Sequence, residues 1–336
     1  VLACCSHIRR NGTTACSVAG EVAPLDRHAR HWVAALPLHG MLVSLRMRIR
    51  RLICYRRSLE PMNAAMRSAL LCVCCCLASA SAQAGLLTLR WPDQAVGGVC
   101  TGQSLQQCLD AAPPGSVVRV VRGQNGNPDH HAINSTLTIA KPLIVSVDPG
   151  VDAVLAEGAD IICRAPAGAS GDCHVEGFVL RRGRILVDAE DVYPGVVTLR
   201  GNRVGIPPDG NGQAALMVEL RTGRPGPEWV IEVARNVLSS TAASGAVGIS
   251  ISNTFSGSPM QVDVRDNLVE STHPQGVRQG ILVAHAAGSA LRLVRNIVRG
   301  PTDTDFSSSL LSVSVNSGSS PQVRIADNWL HAAPNV

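Results

Sequence analysis

From Val196 to Leu330 the chain repeats one pattern of apolar and polar positions: an apolar-x-apolar run, an asparagine, then a second apolar pair. The pattern runs from Val197 to Asn202, Ile231 to Asn236, Val262 to Asn267, Leu291 to Asn296 and Val323 to Asn328, placing the asparagines 34, 31, 29 and 32 residues apart. Alternation with period two predicts strands rather than helices. Recurrence at this period, with Gly, Ser and Pro between the runs, predicts a solenoid in which each turn returns to the same edge.

If the repeats stack as parallel strands about 4.8 Å apart, residues at equal offsets form columns. Val197 and Leu199, Ile231 and Val233, Val262 and Val264, Leu291 and Leu293, and Val323 and Ile325 then make an aliphatic core. The place before the last four asparagines holds Arg235, Asp266, Arg295 and Asp327, alternating in sign, which predicts an ion-pair ladder. Four places before it stand Glu232, Asp263, Arg292 and Arg324, bringing Asp263 against Arg292. Such cross-strand pairs contribute about 0.2 to 1 kcal/mol each. The asparagines are expected at a tight bend, their amides bonding to turn backbone and to one another.

This period, with its asparagine bend and glycine-led strands such as Gly248 to Ile251 and Gly280 to Val283, resembles the right-handed parallel β-helix of the pectin lyase-like superfamily. His174 to Leu180 resembles an earlier coil, with Phe178 in the asparagine's place. The resemblance implies an all-β, single-stranded right-handed parallel β-helix over residues 117–330. It does not imply one activity, because the same fold carries lyases, hydrolases and adhesins.

Upstream the pattern is absent. Residues 1–61 are Arg-rich and are expected to be untranslated or disordered. Residues 62–84 read as a signal peptide: Arg67, an apolar run from Ala69 to Leu77, and Ala82-Gln83-Ala84 before Gly85 as the cleavage site. Cys72, Cys74, Cys75 and Cys76 lie inside that run and are not expected to be ligands. The expected destination is secreted or periplasmic, with no membrane span after signal removal and a monomeric state. Of 30 Lys and Arg, 11 precede Gly85, against 3 of 25 Asp and Glu; the remaining 19 basic and 22 acidic residues leave a net charge of about −3. The overall basic excess belongs to the upstream segment and says nothing about nucleic acid, and no nucleic-acid partner is expected. Four cysteines remain after the cleavage site, and an even count in an exported chain predicts pairing. Cys100 with Cys108 and Cys163 with Cys173 are the local choices among three connectivities.

Residues 85–116 are expected to cap the coil. Ser104 and Gln107 have capping-box spacing, predicting a short helix that ends before Pro113-Pro114-Gly115. Val117 to Val120, Thr136 to Ile139 and Leu143 to Val147 follow as strands, and residues 331–336 form a tail.

Chemistry is less legible. A lyase acting on an acidic polysaccharide needs cations and a base, and a hydrolase needs two facing carboxyl groups. The resemblance places catalysis on the outer face of the glycine-led strands, which here offers Ser250, Ser252, Leu282, Ala284, Ser312 and Ser314. The polygalacturonase pattern of Asn-Thr-Asp, Asp-Asp and His-Gly is absent. His273, Arg278 and His285 are the catalytic candidates, as base and neutraliser beside an acidic sugar. Arg181, Arg182 and Arg184 are the candidates for binding an anionic polymer. No cofactor is expected, although Asp188, Glu190 and Asp191, or Asp303 and Asp305, have the oxygen-ligand character calcium takes. Aromatic residues, on which sugar rings stack, are few. The reading preferred is a non-catalytic binding or scaffold role at the cell surface or on extracellular polysaccharide; the alternative is a lyase or hydrolase of acidic polysaccharide.

Overall fold

A computed structural model describes residues 87–333, apart from 93–97, 102–103, 124–129, 209–212, 225, 242–244, 255–258, 274–276, 287–289, 302–309 and 316–321. The upstream segment, the signal region with its cysteines and the cleavage site lie outside the described residues, as do Asp303 and Asp305. Alternating strands assemble into three parallel sheets of nine, eight and seven strands. Each coil passes from the nine-stranded sheet through the asparagine corner to the eight-stranded sheet, then to the seven-stranded sheet, and returns.

The expected register is observed. Val197, Ile231, Val262, Leu291 and Val323 pair in line across successive coils. The inward residues of the first four of these runs are at most 2% exposed. In the last strand of this sheet, Gln322–Ala326, Val323 and Ile325 are 46% and 49% exposed. The sheet begins earlier than the capping segment suggested, because Thr88–Trp91 pairs with Val117–Val120.

The asparagine column is a buried amide ladder. Asn202, Asn236, Asn267 and Asn296 are at most 1% exposed. Each donates its backbone N–H and one Nδ2 hydrogen to the Oδ1 of the asparagine one coil later, at 2.9 to 3.2 Å. The other Nδ2 hydrogen goes back one coil, to the carbonyls of Val175, Leu199, Val233 and Val264. Phe178 ends the ladder: its N–H donates to Asn202 Oδ1 at 3.0 Å, and its fully buried ring occupies the amide's place.

The bend itself falls one residue earlier than expected. Arg235, Asp266, Arg295 and Asp327 have φ between 55° and 58°, and Gly177 and Gly201 take the left-handed conformation in the coils before them. Their side chains form less of a ladder than the sign alternation implied. Arg295 grips Asp266 with two bonds of 2.7 and 2.8 Å, while Arg235 and Asp327 close no ion pair among the described residues. Asp263 meets Arg292 at 3.6 Å as expected. Arg265, unforeseen, bridges Glu232 and Asp263, and Arg200 holds Glu232 from the other side at 2.8 Å.

The helix spans Leu105–Ala111 and carries the full capping box: Ser104 N–H donates to Gln107 Oε1, and Gln107 N–H to Ser104 Oγ. Leu105, Cys108 and Leu109 face the core. Lys141 donates to the Asp110 carbonyl at 2.6 Å, near the helix C-terminus, where a cation is favoured. Cys100 bonds Cys108 and Cys163 bonds Cys173, the two local pairings. No described helix is long and apolar enough to cross a membrane.

Candidate functional site

The outer face of the seven-stranded sheet is built from residues that alternate with the core. Along Ile185–Glu190, Ile185, Val187 and Ala189 point inward, so Leu186, Asp188 and Glu190 are placed outward. Register then defines two rows. Ile162, Leu186, Met217, Ser250, Leu282 and Ser312 form a largely apolar one. Asp188, Glu219, Ser252 and Ala284 form a second beside it.

Asp188 is the electrostatic centre of this face. Its side chain is 1% exposed although it points away from the core, because two arginines cover it. Arg164, just past Ile161–Cys163, reaches Oδ2 at 2.6 and 2.8 Å, and Arg221 on the neighbouring strand reaches Oδ1 at 2.5 Å. Burial, the largest single influence, pushes the carboxyl up, but hydrogen bonds and charge from Arg221 and Arg164 together hold it below its ordinary value. Asp188 raises the Arg221 guanidinium in return. The result is a fixed carboxylate with both oxygens engaged, suited to holding arginines in place rather than to delivering a proton. Glu219, opposite Asp188 in register, lies 3.8 Å from Arg221 Nε, and Glu190 lies 3.4 Å from its Nη2.

A second clamp adjoins this one. Arg224 grips Asp191 with bonds of 2.7 and 2.8 Å and lies 5.2 Å from the centre of the Tyr193 ring, which is 44% exposed. The hydrogen bond from Arg224 lowers the Asp191 carboxyl, and the same bond raises Arg224. These contacts correct the reading of Asp188, Glu190 and Asp191 as loop ligands for calcium. Asp188 and Glu190 lie within a strand, and guanidinium groups occupy the carboxylates of Asp188 and Asp191.

The catalytic candidates are not brought together. His273 lies between two strands, its backbone N–H and carbonyl both bonded to Ser271 Oγ. Arg278 is exposed near the start of Val277–Ala286 and His285 stands near the end of the same strand, about 23 Å along it. The side chain of His285 lies outside the described residues. Of the arginine group, Arg182 pairs with Glu157, and Arg184 pairs with Asp160 at 2.8 Å and with Gln213. Arg181 is exposed and closes no ion pair among the described residues. The three share one turn, yet two of them already have partners.

Sequence reasoning missed Arg164 and Arg221. The signal was present in the register: a strand pairing that puts Asp188 opposite Glu219, on strands about 4.8 Å apart, sets like charges together and favours cations beside them. Compared with protein-family models, with curated proteins and with solved structures, the chain matches none.

Proposed function

We propose that this parallel β-solenoid is an exported, non-catalytic element that binds or scaffolds extracellular polysaccharide, lying along it at the cell surface. One observation carries the reading: many of the described exterior charges are fixed by partners from adjacent coils. Arg200, Glu232, Arg265, Asp263 and Arg292 form a continuous chain of contacts over four coils. Asp266 with Arg295, Glu270 with Arg299 and Asp188 with its two arginines repeat the device elsewhere. Every described group with a displaced pKa is driven deeper into its charged form: Asp188, Asp191 and Asp266 downward, Arg221, Arg224, Arg265 and Arg295 upward. These groups are therefore unsuited to general acid–base catalysis, which needs a pKa near the working pH. A rigid array of paired charges repeating every coil instead suits recurrent polar contacts with a repeating polymer. The resemblance to pectin lyase-like coils, the signal-like segment and the two disulfides support export and a polysaccharide partner.

The test is retention of the chain from Gly85 onward on immobilised polygalacturonate, alginate and cellulose, alongside ultraviolet absorbance of an unsaturated sugar product. Retention without product is expected. Accumulating product would replace this reading with the lyase alternative, and absence of retention on all three polymers would contradict it.

A further inference from the structure

The asparagine corner holds a depression of about 320 Å³, on a different side of the coil from the seven-stranded face. Its origin lies in the column of left-handed residues. From Arg235 onward that column carries charged side chains, whereas Gly177 and Gly201 occupy it earlier. A Cβ on Gly177 would sit 3.1 Å from Val147 Cβ, so packing explains that glycine. A Cβ on Gly201 would meet nothing within 4 Å. Arg235 holds nearly the same φ one coil later, so backbone conformation alone does not require glycine at 201. The missing side chain leaves open space, and the longer turn of Asp148, Pro149, Gly150 and Val151 walls it on the other side.

The lining is chemically divided. Val147, Pro149, Val151 and Val179 are apolar, and Asp148 is engaged by Arg119 at 2.7 Å. Asp152 and Arg203 are exposed, and neither side chain has an ion-pair or hydrogen-bond partner among the described residues. Arg181, Arg235 and Asp327 also close no ion pair among the described residues, but Asp152 and Arg203 are the two such charges that line the depression. Both project from the outer face of the eight-stranded sheet. By register they lie two coils and two residues apart, roughly 10 Å by 7 Å, with Val179 between them.

We infer that this corner depression binds a small carboxylate whose other end donates hydrogen bonds. Arg203 receives the carboxylate on its planar fork. Asp152 accepts from hydroxyl or ammonium hydrogens, and Val147, Pro149 and Val179 pack against the C–H surface between the two ends. The volume is at the lower limit for ligand pockets, which fits one or two rings rather than a length of polymer. A sugar acid and an ω-amino acid, whose ammonium lies at the far end from its carboxylate, share this chemistry. For a sugar acid the site rests on the polysaccharide reading above and takes a chain end or side branch.

Calorimetric titration of the chain from Gly85 onward with galacturonate, galactose and 6-aminohexanoate tests the site. Galacturonate or 6-aminohexanoate is expected to saturate with a Kd on the order of 1 mM. Arg203→Gln and Asp152→Asn should each weaken that binding about tenfold, the usual worth of a charged hydrogen bond, with unchanged melting temperatures. Galactose, lacking the carboxylate, should bind about tenfold more weakly than galacturonate. Saturation by galacturonate that the variants lose supports a sugar-acid site, even if the polymer-retention experiment fails. Saturation by 6-aminohexanoate alone, lost in the variants, supports the site with a zwitterionic ligand. Failure of both probes to saturate, or binding that Arg203→Gln and Asp152→Asn leave unchanged, overturns the inference even if the polymers are retained.

Discussion

One corner of this molecule is built twice from the same backbone and finished in opposite ways. In the coils of Gly177 and Gly201 the left-handed residue has no side chain and the surface is hollow. In the coils of Arg235, Asp266, Arg295 and Asp327 the same conformation carries charge. Behind both from Asn202 onward runs the same amide ladder, and Phe178 closes it. The left-handed column is therefore not what holds the coils in register. A non-glycine residue there costs about 1 to 2 kcal/mol of backbone strain, and four residues bear it in succession. The buried column beside it sets the fold and leaves the exposed column open to surface duty.

The sharpest way to break this comparison is to strike the interior that both halves share. Val264 is fully buried between Val233 and Leu293 in line above and below it. Val264→Asp places an unpaired charge between aliphatic layers and should cost several kcal/mol, about 3 to 5, seen as loss of cooperative urea unfolding near neutral pH.

Acid should expose the exterior charges next. Asp188 and Asp266 sit below their ordinary value near 3.8: Asp188 because its arginines outweigh burial, Asp266 chiefly through its hydrogen bonds from Arg295. A carboxyl lowered on folding contributes stability that is present above its unfolded pKa and lost as pH falls through the folded one. Urea-unfolding free energy is thus expected to be flat down to the ordinary carboxylate range and to fall below it. Asp188→Asn should shrink that acid limb, and an identical limb in the variant would remove Asp188 from the account.

Charge reversal on the exposed column should do less. Asp266→Arg sets a cation beside Arg265 and Arg295, and the melting temperature should fall by no more than a few degrees because exposed pairs are screened. Adding Arg295→Asp should recover most of that loss, since the restored pair is the one the structure closes. Adding Arg235→Asp should recover little, because Arg235 closes no ion pair among the described residues. Recovery by Arg235→Asp equal to that by Arg295→Asp would restore the four-member ladder expected from sign alternation.

The fold was legible because its columns obey packing rules that act at every coil. Aliphatic, amide and left-handed positions repeat at the same offsets, and even Phe178 was recognisable as the asparagine's substitute. The pairing of charges was less legible. Sequence order shows which charges are neighbours in a column, but Asp266 also contacts Arg265, the residue before it, and Arg235 closes no ion pair among the described residues. The outer face of the seven-stranded sheet was harder still, since Arg164 and Arg221 reach Asp188 from 24 and 33 residues away. The corner depression had no motif to announce it: it arises from a side chain that Gly201 lacks.

The central claim is that the buried amides carry the register while the neighbouring column is free to vary, and adjacent residues allow a direct comparison. Urea unfolding of Asn267→Leu and Asp266→Asn, side by side, is the measurement. Asn267→Leu removes the acceptor for Asn236 and the donor to Val233, stranding buried groups. It should lose about 3 kcal/mol or more at about 1 to 3 kcal/mol per orphaned group. Asp266→Asn keeps the shape and, as asparagine tolerates the left-handed conformation, should change stability by less than about 1 kcal/mol. Equal losses in the two variants, or a larger loss in Asp266→Asn, would contradict the account.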